Sequence, residues 1–348
     1  MKQVALVTGA AGFMGSHLVD RLLDLGLDVV GLDDLSGGFV ENVNPKSTFI
    51  RGSITDVELV EQLFATRKFQ YVFHLAAYAA ENLSHFIRRY NYNNNLMGSI
   101  NLINASVNHD IKVFVFTSSI AVYGEPTQLP VTEEMVPGPK DCYGVAKYAV
   151  ELDLQAAREM FGLNYVVFRP HNVYGERQNI GDRYRNVIGI FINCVLKGLP
   201  LPIFGDGEQT RAFSHIDDVA PLIAGSVFHP EAFNQIFNIG GDKHYSVNQV
   251  AQQVSKSMGV NTDIHYLPVR QEVKHIYSSH EKIQHVLGLG AKIDLEQGIE
   301  RMVRWANNYG ARETKEFAGI EIDRNLPEAW RPAPKIVSAT EPLKSVAI

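Results

Sequence analysis

An apolar run from Val4 to Thr8 leads straight into Gly9-Ala10-Ala11-Gly12-Phe13-Met14-Gly15, and amphipathic helical spacing begins where the glycines end. No other feature constrains the chain as strongly. Small residues at a strand-to-helix junction let the backbone approach a bulky anion, and the helix amino terminus adds free N–H groups and a positive dipole end. The turn therefore reads as a dinucleotide pyrophosphate site, with a plain glycine-rich turn as the bland alternative.

The pattern after the turn repeats the same alternation. Residues 4–8, 28–32, 48–51, 71–75, 113–118 and 165–169 read as strands; 15–25, 57–67, 92–108 and 143–161 read as helices. Near-continuous apolar strands separated by helices predict an α/β fold, a doubly wound parallel sheet covered on both faces. After Pro170, glycine, proline, asparagine and arginine become frequent and the alternation breaks. A smaller α/β lobe is expected to begin here, and helical patterns follow at 185–197, 216–228, 247–258 and 296–309. The expected division is 1–170 plus a returning segment near 209–240 for the dinucleotide domain, and 171–208 with 241–311 for the substrate lobe. Residues 312–348, where periodicity fades and prolines accumulate, are expected to be a tail draped on the surface or disordered.

At 348 residues, a domain with a second lobe or one long α/β unit both fit. A net charge of −6 gives no footprint for nucleic acid, although a few local arginines suffice for an anionic substrate. Two cysteines, Cys142 and Cys194, make no disulfide framework or Cys-rich metal site, so no metal and a reducing, cytoplasmic setting are expected. No apolar stretch is long enough to span a membrane.

The second strand closes on Asp33-Asp34. A carboxylate there accepts from an adenosine ribose diol and repels a 2′-phosphate, which favours NAD over NADP, with Asp33 the first candidate and Asp34 the second. A turn or cap carboxylate is the alternative.

Tyr143 and Lys147 lie four apart on the expected helix 143–161 and so share a face. A free phenol titrates near pH 10, too high for a base at neutrality. A nearby ammonium and a nicotinamide cation both favour the phenolate, so Lys147 is expected to lower Tyr143 and make it a general base. A hydroxyl at the end of the strand before it completes the set: Ser119 first, Ser118 in reserve. Such a triad suits removal of a hydroxyl proton while hydride leaves the same carbon.

With these residues assembled, the chain resembles the extended short-chain dehydrogenase/reductases, in the branch of NAD-dependent nucleotide-sugar epimerases and dehydratases. The resemblance spans residues 2–310 and rests on the glycine turn, Val122-Tyr123-Gly124, Tyr143 with Lys147, Arg169-Pro170-His171-Asn172-Val173-Tyr174-Gly175 and Gly205-Asp206-Gly207-Glu208-Gln209-Thr210-Arg211. It implies a Rossmann domain binding NAD through Gly9, Gly12, Phe13, Met14, Gly15, Asp33, Ser53, Ile54, Leu75, Ala76, Ala77 and Asn95, together with Tyr143 and Lys147. It also implies a nucleotide-diphosphate-sugar substrate held by Ser119, Asn172, Asn186, Val187, Phe204, Arg211 and Arg270, and a homodimer formed through helices 92–108 and 143–161. For Phe204 a core aromatic is the competing reading.

In the family, C4 of the sugar is oxidised to a ketone, and the fate of that ketone depends on other groups. The 4,6-dehydratases carry Asp-Glu after the strand hydroxyl; this chain has Ile120-Ala121, which resembles the 4-epimerases. Dehydration, decarboxylation and C3 or C5 epimerisation through the same ketone remain alternatives. A non-catalytic nucleotide-sensing module is a third, which would not require Tyr143, Lys147 and Ser119 intact.

Several positions depart from the family pattern. Gly52-Ser53-Ile54 lacks the carboxylate of the usual Gly-Asp-Ile. The loop Tyr78-Ala79-Ala80-Glu81-Asn82-Leu83-Ser84-His85 is unlike the 4-epimerase form; Glu81 and His85 either reach the sugar or stand as solvated loop residues. Cys142 is either packing or a thiol acid–base. Ile276 matches a position that gates sugar size.

Overall fold

The computed structural model describes residues 2–270, 272–288, 292–313 and 317–331. Its centre is a seven-stranded sheet in which β1 (Val4–Thr8), β2 (Asp28–Asp33), β3 (Thr48–Arg51), β4 (Tyr71–His74), β5 (Val113–Thr117), β6 (Tyr165–Pro170) and β7 (Gln235–Ile239) run in the order β7-β6-β5-β4-β1-β2-β3. Every pairing within it is parallel. The order reverses between β1 and β4, which opens a crevice at their carboxyl ends.

Alternation along each strand sends side chains to opposite faces and so builds two apolar layers. Ala5 and Val7 of β1, Phe73, Val115, Phe168 and Phe237 pack with α1 (Phe13–Asp24). Leu6, Val30, Val72, Phe114 and Phe116 face α2 (Val57–Thr66), α3 (Gly98–Asn108) and α4 (Cys142–Phe161). The helix expected over 92–108 is present and starts earlier, running without a break through Arg88–Tyr92, a π-turn at Asn93–Met97 and α3. Asp141 caps α4 by accepting from Gly144 N at 2.8 Å, and Gly162, in the left-handed region at φ 78°, ends it.

Behind α4 lies a buried polar frame. Arg169 of β6 donates to both carboxylate oxygens of Glu151, at 3.0 and 2.5 Å, and to Tyr123 Oη at 2.8 Å; Ser118 Oγ donates to the same Glu151. Glu151 is 0% exposed and Arg169 2%. With each charge compensated and hydrogen-bonded, the pair fixes α4 against β5 and β6.

The second lobe has its own core, where α5 (Val187–Leu196), α7 (Val247–Ser257) and α8 (Leu295–Tyr309) bury Ile188, Phe191, Val250, Val254, Ile299 and Met302. Helix α6 (Ile216–Gly225) instead joins α1 and β7 on the main sheet. Leu201–Phe204 pairs in parallel with Ile264–Leu267, and Thr210–Ala212 lies between His244–Ser246 and His275–Ile276.

The segment 317–331 runs mostly exposed over the surface and is anchored there by two buried side chains. Leu326 and Trp330 are buried, 5% and 4% exposed, against Ala80, Leu83, Ile87 and Tyr184. Glu321 accepts from Arg89 N and Tyr90 N at 2.8 and 2.9 Å, and its own amide donates to Phe86 O at 2.7 Å. Residues 332–348 of the expected tail lie outside the described residues.

Candidate active site

The crevice at the strand ends continues between the lobes as one cleft of about 440 Å3. Its inner half is built by the glycine turn. Gly9 has φ 74°, and a Cβ on Gly15 would lie 1.9 Å from Gly9 O. Gly12 caps α1 without a side chain, leaving the first helical amides toward the cleft. These are the demands of a pyrophosphate on a helix terminus. Gly9, Gly12, Phe13, Met14, Gly15, Asp33, Asp34, Ser53, Ile54, Leu75, Ala76 and Ala77 all line this half. Asp33 accepts from Ala11 N at 3.0 Å and Leu35 N at 2.8 Å, which fixes its carboxylate; lone pairs remain for a diol. The residues fit a dinucleotide.

Asn95 was expected at the cofactor and is used elsewhere. Its amide accepts from Tyr78 N at 2.8 Å and donates to Tyr78 O and Asn91 Oδ1 at 3.1 and 2.8 Å, and the neighbouring Asn94 lines the cleft instead. The π-turn rotates consecutive side chains, and α-helical spacing cannot anticipate that.

Tyr143, Lys147 and Ser119 meet in the middle of the cleft. Lys147 Nζ donates to Thr117 O at 2.8 Å and lies 5.7 Å from the Tyr143 ring centroid. Burial lowers Lys147 to about 7, partly opposed by Glu151 one turn on. Burial also raises the Tyr143 phenol above its ordinary value; a hydrogen bond with Ser119 lowers it, while Asp141 and Glu81 raise it. The protein groups alone thus hold the phenol protonated, contrary to the lowering expected from Lys147, because both groups lose water together. Ser118 is committed to Glu151, which leaves Ser119 as the hydroxyl beside Tyr143.

Asn172, Asn186, Val187, Phe204, Arg211 and Arg270 line the outer half. Arg211 is fixed by Thr210 O, Lys274 O and Val273 O at 2.8, 3.0 and 2.5 Å. Arg270 stacks on Phe204, 4.4 Å from its centroid, and Glu272 pairs with Arg270 at 3.0 Å and Arg211 at 3.7 Å. Asn172 and Asn186 adopt φ 40° and 62°, conformations that asparagine tolerates. Ile276 does not reach the cleft; it packs with Ile120, Val122, Tyr123 and Val131, because its two-residue strand turns it into that cluster.

The 78–85 loop closes one side. Tyr78, Ala79, Glu81 and Asn82 line the cleft, whereas His85 is exposed outside it. Cys142 is buried, its thiol taking a bond from Arg88 Nη1 at 3.0 Å and its carbonyl one from Asn91 Nδ2 at 2.8 Å.

Residues 5–240 match the model of the NAD dependent epimerase/dehydratase family. The chain belongs to this family. Among its relatives, a putative UDP-glucose 4-epimerase of Methanocaldococcus jannaschii is 38% identical over 305 residues, 87% of this chain and 98% of that protein. A Thermotoga maritima UDP-glucose 4-epimerase, solved with UDP-glucose, superposes with TM-score 0.84 at 35% identity, over 88% of this chain and 99% of that one. A Bacillus cereus UDP-glucuronic acid 4-epimerase, solved with UDP-glucuronic acid and NAD, gives 0.81 at 29% identity, over 88% and 100%. This chain is thus an NAD-dependent enzyme of the epimerase/dehydratase family.

Within that family frame, Arg185 and Glu272 are lining residues that spacing did not single out. Arg185 stacks over Tyr78 at 4.9 Å and pairs with Asp182 at 2.6 Å. The cluster Arg183-Tyr184-Arg185 directly before Asn186 was the available signal.

Proposed function

We propose that this protein is a UDP-hexose 4-epimerase. The observation that carries the reading is the joint placement of Tyr143, Lys147 and Ser119 opposite Arg211 and Arg270 in one cleft, with Ile120 and Ala121 where an eliminating enzyme needs carboxyl groups. Arg211 and Arg270 bind the diphosphate, Phe204 meets the base, and the hexose bridges to Tyr143.

NAD, when bound, supplies the hydride acceptor and donor at C4 and a positive charge beside the phenol. Tyr143 takes the O4 proton, Ser119 shares the hydrogen bond to that oxygen, and Lys147, anchored by Thr117 O, favours the phenolate. Release of the ketone from contact on one face, turnover within the cleft and return of the proton from Tyr143 complete inversion. Asp33 holds the adenosine ribose.

Dehydration, decarboxylation or C3 or C5 epimerisation would use the same first step. Product analysis by NMR in deuterated water separates them: hydride return at C4 leaves no carbon-bound deuterium, while the alternatives incorporate it. Tyr143→Phe should lower turnover by about 10²–10⁴-fold, and unchanged turnover would refute the scheme.

We further infer a homodimer through α4 and the helical stretch before α3, on the exposed apolar Met97, Val145, Leu152, Met160 and Phe161, 40–76% exposed. Sedimentation would show a monomer if this is wrong. The two free thiols fit a cytoplasmic setting. Among the described residues, no helix is long and apolar enough to cross a membrane.

A further inference from the structure

The glycine turn forms the floor of a trough with a rim on either side. On one rim Gly38 lies against the turn: a Cβ on it would stand 2.6 Å from Ala11 C and 2.8 Å from Gly12 N, and Phe39 N donates to Ala11 O at 3.0 Å. On the other rim Ala76 does the same, since a Cβ on Gly9 would stand 2.9 Å from Ala76 N. Gly37 and Tyr78, close to these contacts in the chain, therefore border the mouth of the trough.

Arg185 touches both of them. Its guanidinium carbon lies 4.9 Å from the centroid of the Tyr78 ring, and a Cβ on Gly37 would stand 3.6 Å from its Nη2. The residue comes from the opposite side of the cleft, directly before Asn186 and α5. A pyrophosphate resting on the first amides of α1 then lies between the turn and this cation.

The guanidinium is held in place and keeps donors to spare. Asp182 Oδ2 accepts from Nε at 2.7 Å and lies 2.6 Å from Nη2, while Asp182 Oδ1 accepts from Tyr184 N at 2.9 Å. Tyr78 is itself fixed, its N and O bonded to the Asn95 amide at 2.8 and 3.1 Å and its ring edge-on to Tyr90 at 5.5 Å. Among the described residues, Nη1 has no hydrogen bond, which leaves its N–H donors for a ligand in the cleft that Arg185 lines. The substrate diphosphate has cations of its own in Arg211 and Arg270, joined through Glu272.

We propose that Arg185 is a cofactor-binding residue that reaches over the glycine turn, donates to the pyrophosphate of NAD and holds the dinucleotide against release. An enzyme that removes hydride and returns it to the same molecule must keep the reduced cofactor until the ketone is reduced again. A charge-assisted contact laid across the exit slows its escape. The inference rests on the NAD dependence of the family and is independent of which sugar carbon is inverted.

The test compares wild type, Arg185→Gln and Arg185→Lys, each loaded with NADH and with UDP saturating the outer half of the cleft. NADH release is followed by fluorescence after a chase with excess NAD. Displacement of NADH by ADP-ribose and by adenosine reports on the inner half, and calorimetry on UDP. Arg185→Gln should release NADH about tenfold faster or more and bind ADP-ribose about tenfold more weakly, with adenosine and UDP bound as in wild type. Added salt should speed release from wild type more than from this variant. Arg185→Lys keeps the charge without the fork; it should release NADH faster than wild type and slower than Arg185→Gln, and it decides the matter if Arg185→Gln does not fold. Unchanged NADH release in both variants, equal losses for ADP-ribose and adenosine, or weakened UDP binding with NADH retained would each overturn the assignment. Inversion at C4, read separately by NMR, bears on the epimerase reading alone.

Discussion

The guanidinium of Arg270 lies 4.4 Å over the ring of Phe204, so the cation expected at the diphosphate and the aromatic expected at the base form one unit. Stacking orients the planar fork, whose Nε and Nη2 donate to Glu272 at 3.3 and 3.0 Å, and leaves Nη1 for phosphate oxygens. Arg270→Lys keeps the charge and loses the fork and the stack; UDP affinity should fall about tenfold. Phe204→Leu should weaken UDP binding by a smaller factor. Calorimetry on the double variant should give less than the sum of the two losses, since the residues touch.

Trp330 brings a second ring to the same guanidinium, 5.8 Å away, and packs edge-on to Phe204 and Tyr184. Trp330→Ala should cost about 3–5 kcal/mol of stability by urea denaturation. It should also raise KM for the nucleotide sugar more than it lowers kcat, since Tyr143 and Lys147 are held from the other lobe. Trp330→Phe should recover most of both.

The frame of Arg169 and Glu151 should respond differently to being broken and being replaced. Glu151→Gln leaves a buried guanidinium uncompensated and should cost about 3–5 kcal/mol in chemical denaturation. Replacing Arg169 and Glu151 together by Met and Leu should cost less than either single change.

His171 is buried against His280, Nε2 to Nε2 3.1 Å, and burial lowers it from 6.5 to about 3. Between those values the unfolded chain binds a proton that the folded chain refuses, so stability falls as pH drops from 6.5 toward 3. The slope attributable to this group is at most about 1.4 kcal/mol per pH unit. Thermal midpoints of His171→Asn, compared with wild type across that range, should show a shallower decline.

The strands of the first half were legible because most are near-continuous apolar or β-branched runs bounded by polar or turn residues; β1 and β3 begin and end where the pattern does. Strand β7 was harder to see, since Gln235 and Asn238 interrupt it; Asn238 is polar because its side chain accepts from Tyr123 Oη at 2.8 Å. The glycine turn, Tyr143 and Lys147 are local spacings, which sequence carries directly. Asn95 and Ile276 were misplaced because a π-turn and a two-residue strand set their directions. The packing of Leu326 and Trp330 has no periodicity to read, for the segment is irregular and its partners lie far away in the chain.

That last segment works as a clasp. Its Trp330 packs edge-on to Phe204 and shares a cluster with Ala80 and Leu83 of the 78–85 loop, so one irregular stretch ties the nucleotide end of the cleft to the loop beside Tyr143. The two walls hold or loosen together, and neither lobe alone sets the width between them.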